Sequence, residues 1–173
     1  MGIGLRLHDP GRTTIGAGHA IERARARGSP LVESDDLLAG LLLAVSRFGI
    51  VELGAVAVDL EALGLRFDLP VPGTSVKPRY SEGAAAAFER AARIARGDGQ
   101  RALMPVHLLV ALADRALPTF ARIESVHGLS AAQWRRLLAA VDPPAEAAPA
   151  EAASGAARAA PATRKAGSRP LRM

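Results

Sequence analysis

Four histidines (His8, His19, His107 and His127) and the run Ser34-Asp35-Asp36 are the residues of this 173-residue chain best suited to chemistry. A hydrolase needs a serine nucleophile served by a histidine base. No nucleophile elbow surrounds Ser34, and no ordered triad pattern accompanies it. No two of the histidines stand four apart, as a helical metal site would place them. The absence of cysteine excludes thiolate zinc, disulfides and cysteine nucleophiles together. Gly16-Ala17-Gly18 begins like a dinucleotide loop, but Ile21 stands where the third glycine belongs and no strand precedes it. These residues lead us to expect no catalytic, cofactor or metal site, and no enzyme.

The remaining chemistry is recognition. Tyr80 lies beside Lys77 and Arg79 and just before Ser81, and aromatic and arginine side chains dominate binding hot spots. The alternative is that Tyr80 packs as a hydrophobic staple on the helix that follows. Ser34 opens a helix with Asp35 in its first turn, where a carboxylate favours the dipole by about 0.3–1 kcal/mol. His107 reads as a partly buried, hydrogen-bonded structural residue.

The elements that must position these residues follow from an internal repeat. Sliding the sequence on itself by 71 residues brings Ala20 onto Ala91, Ala24 onto Ala95, Arg25 onto Arg96 and Gly28 onto Gly99. It also sets Leu37-Leu38 on Leu108-Leu109, Leu41 on Leu112 and Asp59 on Ser130. In each copy a first helix opens at a capping residue, Asp9-Pro10 or Ser81, and stops at glycine, Gly28 or Gly97–Gly99. A second helix begins at Ser34 or near Pro105, a third covers 48–56 or 118–127, and a short fourth follows Asp59 or Ser130. The expected fold is all-α: two four-helix units, about eight helices, packed through their leucine pairs. Gly16 and Gly18 are expected to weaken the first helix by about 1 kcal/mol each, leaving the first copy looser.

The boundaries follow composition. Repeat one spans about 10–66 and repeat two about 81–137, within a domain covering 1–142; Pro70, Pro72, Gly73 and Pro78 mark 68–78 as a linker. Residues 143–173 hold almost no large apolar side chains and read as a disordered, Ala/Pro-rich basic tail. That tail carries +3 of the net charge of +5. Nucleic-acid association is therefore an alternative that would act through the tail, while the nearly neutral domain argues against it. Met1 to Asp9 has no apolar stretch of signal-peptide length, and the longest apolar run, Leu37 to Val45, is half a membrane span. A cytoplasmic protein with no membrane partner is expected.

Two helical copies, each opening a second helix into a Leu-Leu pair, resemble the Clp N-terminal repeat domain found at the front of Clp protein-unfolding ATPases. Its Thr-Glu-His-Leu-Leu signature is similar to Ser34-Asp35-Asp36-Leu37-Leu38 with Leu41, and to Pro105-Val106-His107-Leu108-Leu109 with Leu112. The resemblance covers about residues 5–141 and implies a non-catalytic domain that receives substrates and adaptors. No Walker sequence is present, so a free-standing copy is expected, acting as adaptor, decoy or sequestering protein. Family acids that bind phosphorylated arginine fall on Asp35 and, in the second copy, on Val106, which removes the second acid. Ser81 retains the capping hydroxyl, and Tyr80 falls on an aromatic that borders a peptide and cyclic-peptide groove. The implied partners are Clp substrates or adaptors, arginine-phosphorylated proteins and Clp-targeting cyclic peptides.

Overall fold

The computed structural model describes residues 6–66 and 77–141. The order is α1 (Pro10–Ala26), β1 (Leu31–Val32), α2 (Ser34–Val45), β2 (Ile50–Leu53), β3 (Val56–Asp59), β4 (Arg79–Tyr80), α3 (Glu82–Gly97), α4 (Pro105–Leu112), α5 (Pro118–His127) and α6 (Ala131–Ala139). The protein is mostly helical, with two small two-stranded sheets among the described residues.

Local chemistry accounts for the helix ends. The Asp9 carboxylate accepts from the Gly11 amide at 2.8 Å, and the Ser81 hydroxyl accepts from the Ala84 amide at 3.2 Å, so α1 and α3 both begin on a side-chain cap. Both end in the same way. Gly28 and Gly99 take φ of 65° and 71°. The Ser29 and Gln100 amides then reach back to the carbonyls of Ala24 and Ala95 at 2.9 and 2.8 Å. The paired residues at these C-terminal ends all stand 71 apart, whereas the caps Asp9 and Ser81 stand 72 apart.

Apolar residues surround α2 and α4 on every side, so these helices are the core. Leu37, Leu38, Leu41, Leu108, Leu109 and Leu112 are fully buried in one cluster that joins both halves. Burial of such a side chain stabilises the fold by roughly 1.5–3 kcal/mol. Trp134 and Phe120 close the second half with an edge-to-face contact at 5.9 Å.

The crossing of α1 and α2 corrects one expectation. A Cβ on Gly40 would lie 2.3 Å from the Gly16 carbonyl oxygen and 2.7 Å from the Ala20 amide nitrogen. A Cβ on Gly16 would lie 3.0 Å from Leu41 Cα. Gly16 therefore does not merely weaken α1; with Gly40 it lets two backbones touch. Gly18 faces open space and fits the original expectation. At the same offset the second half carries Ala87 and Ala111, both buried.

The expected pair of four-helix units needs a second correction. Residues 48–56, expected as a helix, enter an antiparallel hairpin in which Ile50 faces Asp59 and Leu53 faces Val56. Burial alternates along β2, with Val51 and Leu53 inward and Ile50 and Glu52 outward. A period of two cannot sit on a helix face. Gly54, at φ 61°, opens the two-residue turn, as hairpins favour. No helix follows Asp59 among the described residues up to Arg66 either. Its carboxylate caps a short turn, accepting from Glu61 and Ala62 at 2.8 and 3.3 Å. Six helices, rather than eight, lie wholly within the described residues. The expected tail lies outside the described residues, as does the expected linker apart from Lys77 and Pro78.

Candidate protein-binding site

The site residues are gathered by the shorter sheet. β1 and β4 pair in parallel, Leu31 with Arg79 and Val32 with Tyr80. The Arg79 amide donates to Pro30 O at 2.9 Å and the Ser81 amide to Val32 O at 3.0 Å. Ser34 follows the end of β1 by two residues and Ser81 follows that of β4 by one, so this pairing sets the N-termini of α2 and α3 side by side. Their closeness is visible at Gly83, where a Cβ would meet the Ser34 hydroxyl at 3.1 Å and an Arg115 guanidinium nitrogen at 3.0 Å.

Ser34 is buried and accepts from Arg115 Nη1 at 3.3 Å, while Ser81 is buried as the cap of α3. Tyr80 packs edge-on against Phe88, with centroids 5.2 Å apart, yet keeps 38% of its surface exposed. Burial pushes its phenol above the ordinary value. Arg79 and Lys77 are exposed beside it. The described geometry therefore brings together Ser34, Ser81, Arg79 and Tyr80 along one edge.

Asp35 is turned elsewhere. Its Oδ1 accepts from the Thr119 amide at 2.8 Å, in the first turn of α5. The residue preceding α5 is Leu117, which cannot cap, and Pro118 follows it. The carboxylate from α2 thus satisfies an orphan amide 84 residues away. Arg115, Thr119, Gly83 and Phe88 are site neighbours that sequence reasoning missed. The one available signal was an uncapped helix start at Leu117-Pro118, which requires an acceptor from another element.

The residues after Asp35 and Val106 exchange acid for base between the halves. Asp36 accepts from the Glu33 amide at 2.9 Å and pairs with Arg27, with Arg23 Nε 3.9 Å away. Burial pushes the Asp36 carboxyl up, against the pull of the Glu33 amide and the Arg27 and Arg23 charges. Seventy-one residues on, His107 Nδ1 accepts from the Met104 amide at 3.2 Å and its Nε2 lies 3.6 Å from Asp98. The acid–base pair thus recurs with its polarity reversed, Arg27 becoming Asp98 and Asp36 becoming His107. Burial holds the His107 pKa below its ordinary value; Asp98 opposes this and His8 adds to it. Among the described residues, no cluster of three or more His, Asp or Glu could hold a metal ion. No helix among them is long and apolar enough to cross a membrane.

No protein-family profile matches the chain, and no curated protein matches it. Solved structures do. The crystal structure of the N-terminal domain of the caseinolytic protease associated chaperone ClpD from Arabidopsis thaliana superposes with a TM-score of 0.57 at 18% identity. The match covers 78% of this chain and 95% of that one. The chain has the fold of a Clp N-terminal domain.

Proposed function

We propose that this chain is a non-catalytic protein-binding module of the Clp proteolysis system, acting as an adaptor, decoy or sequestering protein. One observation carries the reading: within a Clp N-terminal domain fold, the β1–β4 pair holds the starts of α2 and α3 together and leaves Tyr80, Arg79 and Lys77 at the surface. An aromatic ring with two cations on a rigid strand is a low-entropy anchor for a polypeptide. Ser34, which accepts from Arg115, and Ser81, the cap of α3, are both buried and serve the fold rather than contact a partner. Asp35 keeps one oxygen, Oδ2, for a guanidinium donor, since Oδ1 holds α5. Val106, buried in α4, supplies no second acid. A single-site mode of recognition follows, in the cytoplasm, with Clp substrates, adaptors or Clp-targeting cyclic peptides as ligands.

Titration of the full chain with an unfolded model protein, the same protein phosphorylated on arginine, and a Clp-targeting cyclic peptide tests this. Saturable binding that Tyr80→Ala weakens without changing the far-ultraviolet circular dichroism is the expected result. Flat titrations to high micromolar ligand for all three would remove the reading. Adding the chain to a Clp ATPase–protease assay then separates the roles: an adaptor accelerates degradation, whereas a decoy or sequestering protein slows it.

A further inference from the structure

The hairpin that stands in place of the expected helix presents the most exposed large apolar side chain among the described residues. Phe48 is 92% exposed and has φ 53°, the left-handed region that glycine adopts freely and phenylalanine does not. Gly49 follows at φ 79°. Apart from its contact with Arg47, the fold gains little from a solvent-exposed ring at a position where glycine would be relaxed. Strained backbone and exposed apolar surface at one residue mark a functional surface.

The surroundings indicate what would cover it. Phe48, Ile50 and Leu65 form the apolar wall of an open cleft of about 530 Å³, with Asp59, Glu61 and Arg66 at its rim. Arg47 lies over the Phe48 ring, 5.4 Å from its centroid. On the outward face of the hairpin Ile50 stands opposite Asp59 and Glu52 opposite Ala57, so two carboxylates flank one exposed isoleucine. Glu61 adds a third. Its pairing with Arg66 at 3.8 Å, with both side chains largely exposed, neutralises it only weakly. With Arg47 and Arg66 counted, this face carries three carboxylates against two guanidinium groups and is weakly acidic, on a chain whose net charge is +5.

We propose that the outer face of the β2–β3 hairpin docks a cationic, extended segment of a partner polypeptide, one that carries bulky apolar side chains between lysines or arginines. The apolar side chain would enter the cleft against Phe48, Ile50 and Leu65. Its basic neighbours would meet Glu52, Glu61 and the free oxygen of Asp59. An anionic polymer is repelled by the same carboxylates. This surface uses none of the residues around Tyr80, goes beyond the reading given above, and stands or falls separately from it.

Fluorescence anisotropy on the full chain at low salt, with a labelled peptide alternating lysine and leucine, tests the proposal. Two control peptides replace every lysine by glutamate or every leucine by alanine. The lysine–leucine peptide binds saturably, both controls bind at least about tenfold more weakly, and added salt weakens the complex. Phe48→Ala and Glu52→Lys each reduce its affinity, Phe48→Ala by about tenfold or more. Phe48→Gly gives the sharpest reading: it relaxes the backbone, so the melting temperature holds or rises while the peptide is lost. Equal binding of the glutamate peptide, or unchanged binding by Phe48→Ala, overturns the proposal. Absence of binding up to millimolar lysine–leucine peptide overturns it too. Sedimentation showing a dimer that Phe48→Ala dissociates would assign the face to a second copy and also overturn it.

Discussion

Gly40→Ala probes the contact on which the first half of the molecule is assembled. The added Cβ would sit 2.3 Å from the Gly16 carbonyl oxygen, 2.7 Å from the Ala20 nitrogen and 3.3 Å from Ala20 Cα. All three are backbone atoms of α1, so no rotamer change can relieve the clash. To restore ordinary contact α1 and α2 must part by about 1 Å, a gap that forfeits a quarter to a half of the dispersion well of each facing atom pair. Overpacking of this kind costs about 1–3 kcal/mol and occasionally more; with backbone on both sides, about 3 kcal/mol is the appropriate figure. Helix propensity returns about 1 kcal/mol when alanine replaces glycine. The net loss is about 2 kcal/mol or more, a fall in melting temperature of roughly 8 °C for a domain of this size. Gly18→Ala is the internal control, because it lies in α1, the other helix of the crossing, and its Cβ would meet nothing within 4 Å. It should gain about 1 kcal/mol from propensity alone. Urea denaturation followed at 222 nm reads both variants. A Gly40→Ala midpoint at or above wild type would show that α1 and α2 do not cross where described.

Three further outcomes follow from the same structure. His107 can accept from the Met104 amide only while Nδ1 is unprotonated, and burial already lowers its pKa from 6.5. The unfolded chain therefore binds the proton first, so the stability His107 contributes is full above pH 6.5 and is lost as pH falls below it. Burial lowers His19 in the same sense, so the part of the slope that belongs to His107 is the part missing from His107→Gln in denaturation measured across pH. Asp35→Ala leaves the Thr119 amide without its acceptor and should cost about 1–3 kcal/mol in urea midpoint, whereas Asp35→Asn keeps an acceptor and should recover most of it. Leu37→Ala and Leu108→Ala, both at fully buried positions, should each cost about 2–5 kcal/mol by the same measurement; a near-zero change would mean that α2 or α4 is not the core.

Much was legible because its cause is local. Asp9, Ser81 and Ser130 cap helices through bonds to amides two or three residues on, and Gly28 and Gly99 end helices through their own backbone freedom. The leucine pairs of α2 and α4 announce burial because each helix is apolar on every side. The third element of the first half was misread at a place where the signals conflict. Ile50 to Val58 has the apolar content of a core helix, but its alternation and its flanking glycines are those of a hairpin, and the offset of 71 drew it toward the helix at 118–127.

The sequence by itself determined where the first two helices of each half start, where the first of each stops, which helices are buried, and that two similar runs of chain stand 71 residues apart, because capping, periodicity and glycine conformation act over a few residues. Only the tertiary structure decided what the chemistry-bearing side chains face. Asp35 lies in the first turn of α2, yet its oxygen belongs to α5; Gly16 reads as a weak helix residue, yet it is where Gly40 passes. Such contacts depend on how whole helices are brought together, and burial of apolar surface, which brings them together, is non-directional. It leaves no mark on the spacing of the residues that meet.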